Sequence, residues 1–127
     1  MSKRLLASLV SLALLAFASI TTAAAAELIM FERAGCPWCE KFDREVAPIY
    51  PKTTEGARAP LRRVNIYAPL PKDLAFIKVE RLTPLFVLID DGREIGRIRG
   101  YPGDDLFWMQ IAGLMQRLDE AQLAAKR

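Results

Sequence analysis

Cys36-Pro37-Trp38-Cys39 holds the only two cysteines of a 127-residue chain that has no histidine. Two sulfurs three residues apart suit a reversible disulfide, a metal site or a structural staple, and the neighbouring residues discriminate among these. A helix beginning at Pro37 puts Cys36 at its N-terminus and Cys39 nearly one turn further on, with Cβ atoms about 5–6 Å apart. A disulfide needs Cα atoms about 4.4–6.8 Å apart, so such a pair opens and closes with little movement. Pro37 fits the first helical position because its φ is already helical and its missing N–H would have had no partner there. Free N–H groups and the positive end of the helix dipole favour a thiolate at Cys36. Cys39 falls on the apolar side that Phe42, Val46 and Ile49 continue. Cys36 is therefore expected to attack and Cys39 to resolve.

The other chemistries fit less well. A zinc site needs about four ligands, usually Cys or His, which this chain does not have. A c-type haem needs histidine after the second cysteine, and Glu40 stands there. A dithiol that carries Cu(I) stays open as a rival binding function, since soft thiolates suit that ion. A purely structural staple constrains little chain, because the loop it closes is so short. Redox exchange is the favoured reading, with a Cys36–Cys39 disulfide and with neither a bound metal nor another cofactor.

Compartment is read from the N-terminus. Met1-Ser2-Lys3-Arg4 is basic, Leu5 to Ile20 is apolar apart from three serines, and Thr21 to Ala26 supplies small residues before Glu27. This order reads as a secretory signal peptide over residues 1–26, cleaved to leave a domain of residues 27–127 outside the cytoplasm, in the periplasm. A retained membrane anchor is the competing reading, since Leu5 to Ala26 approaches the roughly 20 residues that span a bilayer. The segment holds two of the 18 basic residues and none of the 15 acidic ones. Without it the chain is near neutral, which gives no case for nucleic-acid binding. Arg58-Ala59-Pro60-Leu61-Arg62-Arg63 then reads as a solvated face rather than a phosphate patch.

The remainder has length for one core. Leu28 to Phe31 is a continuous apolar run, as in a strand buried on both faces. Glu32 to Gly35 turns into the cysteine helix, whose end Pro48 and Pro51 bracket. Lys52 to Pro60 has no periodicity and reads as a loop. Leu61 to Ile66 is a second strand, and Lys72 to about Lys78 a short helix using Leu74 and Ile77. Leu85 to Ile89 is the most strand-like segment. Asp90-Asp91-Gly92 is hairpin-turn chemistry, and Arg93 to Gly100 returns as its partner. Phe107, Ile111, Leu114 and Leu118 form the core stripe of a last helix. The order β-α-β-α-β-β-α predicts an α/β fold with a mixed four-stranded sheet covered by helices.

A buried strand leading into C-x-x-C, then Thr83-Pro84 before a strand, a glycine turn and another strand, resembles the thioredoxin superfamily in its minimal form. In that superfamily the proline before the third core strand is cis and stands beside the catalytic disulfide, a role the resemblance gives to Pro84. A narrower resemblance rests on Cys36-Pro37-Trp38-Cys39, Arg58-Ala59-Pro60-Leu61-Arg62, Thr83-Pro84 and Gly100-Tyr101-Pro102-Gly103. These are similar to the small periplasmic thioredoxin-like proteins of bacterial sulfur-oxidation systems, the SoxS type. The resemblance implies a periplasmic thiol reductant, fed by a membrane dithiol electron donor and acting on disulfides of sulfur-oxidation or other exported proteins.

Departures from the superfamily pattern are informative. Pro37-Trp38 replaces the familiar Gly-Pro, and Met30 stands where an acidic residue is usually buried six positions before the first cysteine. Glu32 is the candidate substitute as proton acceptor, against the alternative of a solvated loop acid. The strand and helix that precede the first active-site strand in full thioredoxins are not expected here, so the core resembles the shorter glutaredoxins. In the implied mechanism Cys36 forms a mixed disulfide and Cys39 releases the client. Backbone groups flanking Thr83-Pro84 hold the client extended. Trp38 either offers an apolar contact to clients or packs on its own domain. Pro37 and Trp38 place no charge between the cysteines, which favours reduction or isomerisation over disulfide donation. A monomer is expected.

Overall fold

The computed structural model describes residues 25–127. The expected signal peptide, residues 1–26, lies outside them apart from its last two residues. The elements are β1 (Glu27–Glu32), α1 (Pro37–Glu45), α2 (Thr54–Arg58), β2 (Leu61–Asn65), β3 (Leu85–Asp90), β4 (Arg93–Arg99) and α3 (Asp104–Ala125), with 3₁₀ turns at Tyr50–Lys52 and Lys72–Leu74. The sheet runs β2-β1-β3-β4. β1 and β2 are parallel, as the crossover through α1 requires, and the other pairs are antiparallel. This is the expected mixed four-stranded sheet of a minimal thioredoxin-like fold.

Alternation along the strands divides the core between two faces. Leu28 and Met30 of β1 join Phe86 and Leu88 of β3 beneath α1 and α3. Ile29 and Phe31 join Leu85 and Val87 on the opposite face, under Leu74 and Ile77. β3 is buried along its whole length, which explains its continuous apolar run. Under α1 the rings of Phe42, Phe86, Phe107 and Tyr101 meet at centroid distances of 4.8–6.0 Å, mostly tilted or edge-on. Fully burying each phenylalanine is worth about 1.5–3 kcal/mol, so this cluster fixes α1 on the sheet. Phe107, Ile111, Leu114 and Leu118 are buried as their spacing predicts. The hairpin turns through Asp91 and Gly92, both at positive φ (49° and 69°), as a tight turn between twisted strands demands.

Three expectations need correction. Lys72 to Lys78 does not form a helix. Only Lys72–Leu74 is helical, as a 3₁₀ turn, although Leu74 and Ile77 are both buried. Lys52 to Pro60 is not a structureless loop, because Thr53 caps the short helix α2 by accepting from the Gly56 N–H. Ile49 does not extend the apolar side of the cysteine helix. α1 ends at Glu45, Ile49 is exposed, and Tyr50 is buried in its place with its hydroxyl donating to the Ala59 carbonyl at 2.8 Å.

The basic run does form a solvated face. Arg58 pairs with Asp119, Arg62 with Asp73 and Glu27, and Arg63 with Glu32 and Asp43. Each guanidinium already has a carboxylate partner, which leaves little for a phosphate.

Candidate active site

Gly35, at a positive φ of 68°, turns the chain from β1 into α1. Cys36 is the extended N-cap residue of α1, and Pro37 occupies its first turn. The two cysteines form a disulfide with Cα atoms 5.2 Å apart. Cys36 Sγ accepts a hydrogen bond from the Cys39 N–H at 3.2 Å. A helix-terminal N–H aimed at sulfur stabilises negative charge on it, which makes Cys36 the better thiolate. Burial does not separate the two, since Cys36 is 2% and Cys39 4% exposed in the disulfide. The asymmetry between them comes from the helix terminus.

Two different surroundings flank the sulfurs. On one side lies a groove of about 390 Å³ lined by Trp38, Leu82, Thr83, Arg99, Tyr101 and Pro102. Trp38 is 55% exposed, which decides that its indole is presented rather than packed away. Lys41 lies 5.8 Å from the centre of that ring. The Thr83–Pro84 bond is cis, and the Pro84 carbonyl accepts from the Gly100 N–H at 2.8 Å, joining the two strands that frame the groove. The N–H and C=O of Thr83 have no backbone partner among the described residues. The buried Tyr101 closes the floor and donates to Glu45 Oε2 at 2.7 Å. Burial, and then the neighbouring Glu45 carboxylate, push the Tyr101 phenol well above its ordinary range, so it stays a neutral donor.

On the other side is a cavity of about 210 Å³ whose wall includes Glu32, Cys36, Cys39, Glu40, Asp43 and Asn65. Glu32 ends β1 rather than starting the loop, so it is not a free loop acid. Arg63 Nη1 donates to Glu32 Oε2 at 2.6 Å and Arg63 Nη2 donates to Asp43. Partial burial alone would lower the Arg63 pKa, but the hydrogen bonds of Asp43 and Glu32 outweigh it and the net shift is upward. Met30 is fully buried beneath α1, so the position of the usual buried acid holds a thioether.

The structure thus places Cys36, Pro37, Trp38 and Cys39 together at the start of α1, with Thr83 sharing a groove with Trp38 and Glu32 sharing a cavity with both cysteines. Sequence reasoning gave no role to Leu82, Tyr101, Asp43 or Arg63. Tyr101 lies in a quoted segment, Gly100-Tyr101-Pro102-Gly103, but nothing local signals its partner 56 residues away.

A scan of protein-family models returns no match, and a search of the curated proteins returns none either. Among solved structures the chain is similar to the periplasmic thioredoxin SoxS from Paracoccus pantotrophus, crystallised in its reduced form. The two share 43% identity over 73% of this chain and 98% of that one, with a TM-score of 0.70.

Proposed function

The chain belongs to the SoxS-type thioredoxins, and on that footing we propose that it is a periplasmic reductant of protein disulfides, sulfur-oxidation proteins among them. It is a thiol–disulfide oxidoreductase. Its Cys36 thiolate attacks a client disulfide, expelling one client sulfur as a thiolate and forming a mixed disulfide. Cys39, once deprotonated, attacks Cys36 Sγ and expels the second client sulfur. The oxidised pair then takes two electrons from a membrane dithiol protein. The client strand lies in the groove, hydrogen-bonded to the free N–H and C=O of Thr83 beside Pro84, with an apolar residue against Trp38. Residues 1–26 export the chain and are cleaved, leaving residues 27–127 as the working domain.

The observation that carries the direction is the Pro37-Trp38 pair. It places no charged or polar side chain between the cysteines. Strong oxidants stabilise their reduced form by holding the nucleophile as a thiolate. Here the Cys39 N–H and the helix terminus act with no cation between the cysteines to reinforce them, so the thiolate and with it the reduced form are held less strongly. The potential is therefore expected nearer thioredoxin, at about −270 mV, than the strong periplasmic oxidant at about −120 mV. Equilibrating the protein with defined glutathione ratios measures it. A value more oxidising than about −160 mV makes the protein a disulfide donor and overturns the reductant reading. Tight Cu(I) binding with negligible exchange would instead favour a metallochaperone.

A further inference from the structure

Leu82 and Thr83, which line the groove, end a stretch with no regular structure. No backbone N–H or C=O of residues 78–83 has a backbone partner among the described residues. A segment with neither ladder nor turn bonds keeps one position only where side chains hold it. Beyond its end, Pro84 is fixed by the Gly100 N–H. Its start is fixed from β4. Cross-strand partners point to the same side of a sheet, and Arg97 stands opposite Val87 as Arg99 does opposite Leu85. Val87 and Leu85 belong to the face that Leu74, Ile77 and Val79 cover. Arg97 therefore projects under the irregular segment. Its Nη1 donates to the Lys78 carbonyl at 3.1 Å and to Glu80 Oε1 at 2.8 Å, while its Nη2 donates to Glu94 Oε2 at 2.7 Å. Arg99 donates to Glu80 as well. The Arg97 side chain is 12% exposed against 57% for Arg99, so Arg97 is an enclosed cation with its partners built around it.

Resting on the oxidoreductase reading, we propose that Arg97 is the positioning residue for client capture: it anchors residues 78–80 so that Leu82 and the open main chain of Thr83 stand in place at the groove before a client arrives. The argument is one of order. Only Arg81, Leu82 and Thr83 lie between the anchor at Glu80 and the anchor at Pro84. Three residues between two fixed points have little freedom, so the main chain that meets the client is set in advance. Without Arg97 the loose stretch reaches back to the turn that ends at Ile77, and a client must order it on binding. Glu80→Gln would still offer Arg97 an oxygen, so the anchor is broken from the arginine side. Arg97 lines neither the groove nor the cavity beside the cysteines, which leaves the sulfur chemistry apart from it. The substrates that depend on Arg97 are therefore protein disulfides carried in an extended segment. A small disulfide that meets Cys36 alone does not depend on it.

Arg97→Met keeps the bulk of the side chain and removes its donors and charge. With insulin as the protein disulfide, KM is expected to rise about tenfold while kcat changes by less than about twofold. The first chromophore release from dithiobis(nitrobenzoate), which needs Cys36 and no groove, is expected to stay within about twofold of the wild-type rate, which also shows that the site is folded. NMR relaxation supplies a readout free of turnover. The amide order parameters of Leu82 and Thr83 are expected to fall from about 0.85 to below about 0.6. Arg97→Lys, which keeps one cation, is expected to recover part of both effects. A wild-type KM in Arg97→Met overturns the role in capture, and unchanged order parameters overturn the anchor. Equal losses with insulin and with the small disulfide also overturn the positioning role, since they mean that the whole site was disturbed. A wild-type protein that attacks neither disulfide counts against the oxidoreductase reading, and the order parameters then decide the Arg97 anchor by themselves.

Discussion

The two sides of the Cys36–Cys39 disulfide differ in chemistry. The groove beside Trp38 and Thr83 is built from an indole, an aliphatic side chain, a proline and open backbone, with Arg99 as the charged residue in its lining. The cavity beneath Glu32 is built from carboxylates held by an arginine. One side is suited to hold an extended apolar segment by area and main-chain hydrogen bonds. The other is polar and charged, with two of its carboxylates tied to one guanidinium. The disulfide lies between them because Cys36 caps the helix while Cys39 is one turn down its inner face. The contrast teaches that client binding and the charge around the cysteines can be altered separately, by substitutions on opposite sides of the same two sulfurs.

The largest effect comes from the sulfurs themselves. Cys36→Ser is expected to abolish exchange, while Cys39→Ser keeps the first attack and accumulates mixed disulfides that a gel without reductant displays. Alkylation of the reduced protein should modify Cys36 first, since its sulfur receives the helix-terminal N–H. Faster modification of Cys39 would reverse the assignment and with it the division of labour between the two sides.

A smaller effect belongs to the groove alone. Trp38→Ala removes its exposed aromatic anchor, for which truncations at protein interfaces cost about 1–2 kcal/mol. KM for a protein client should rise roughly 5- to 30-fold, at tenfold per 1.4 kcal/mol. The pH dependence of resolution should stay where it is. A shift of that profile in Trp38→Ala would show that the two sides are coupled through α1 and are not separable.

How much of this was legible in the sequence follows from the range of the interactions. The Cys36-Pro37-Trp38-Cys39 helix start, the Asp91-Gly92 turn and the Phe107 to Leu118 stripe are set within a few residues, and each stands as read. Leu74 and Ile77, three apart, suit an α-helix, but the chain is helical only over the 3₁₀ turn Lys72–Leu74, and Ile77 is buried from the irregular segment after it. α2 has five residues and a glycine, too short for a periodic signal, and its placement depends on Tyr50 reaching Ala59. Ile49 continues the helical spacing on paper, but the helix has already ended at Glu45. The Glu32–Arg63–Asp43 cluster needs the register of β2 on β1, with partners 31 and 20 residues apart. No local pattern encodes that. Glu32 drew notice through its nearness to Cys36, whereas Arg63 read as one more exposed cation in a basic run.

The smallest effect concerns the one charge in the lining of the groove. Arg99 donates to Glu80 at 2.8–3.1 Å, and Arg97 donates to the same carboxylate at 2.8 Å. The Arg99 hydrogen bonds, with those of Arg97 behind them, lower the Glu80 pKa from its ordinary value of 4.5. A carboxylate with a depressed folded pKa adds stability that is present above 4.5 and lost as pH falls through the lower folded value. Glu80→Gln should therefore lower stability slightly above pH 4.5 and converge on the wild type at more acid pH, which flattens the acid limb of a denaturation series. It also frees Arg99 at the rim of the groove. Clients with acidic residues beside their disulfide should then show a KM lower by about twofold at low salt, an effect erased at about 1 M salt, where the Debye length is about 3 Å. Unchanged KM at low salt would mean that Arg99 does not reach the client, leaving the groove an apolar and main-chain surface in function as well as composition.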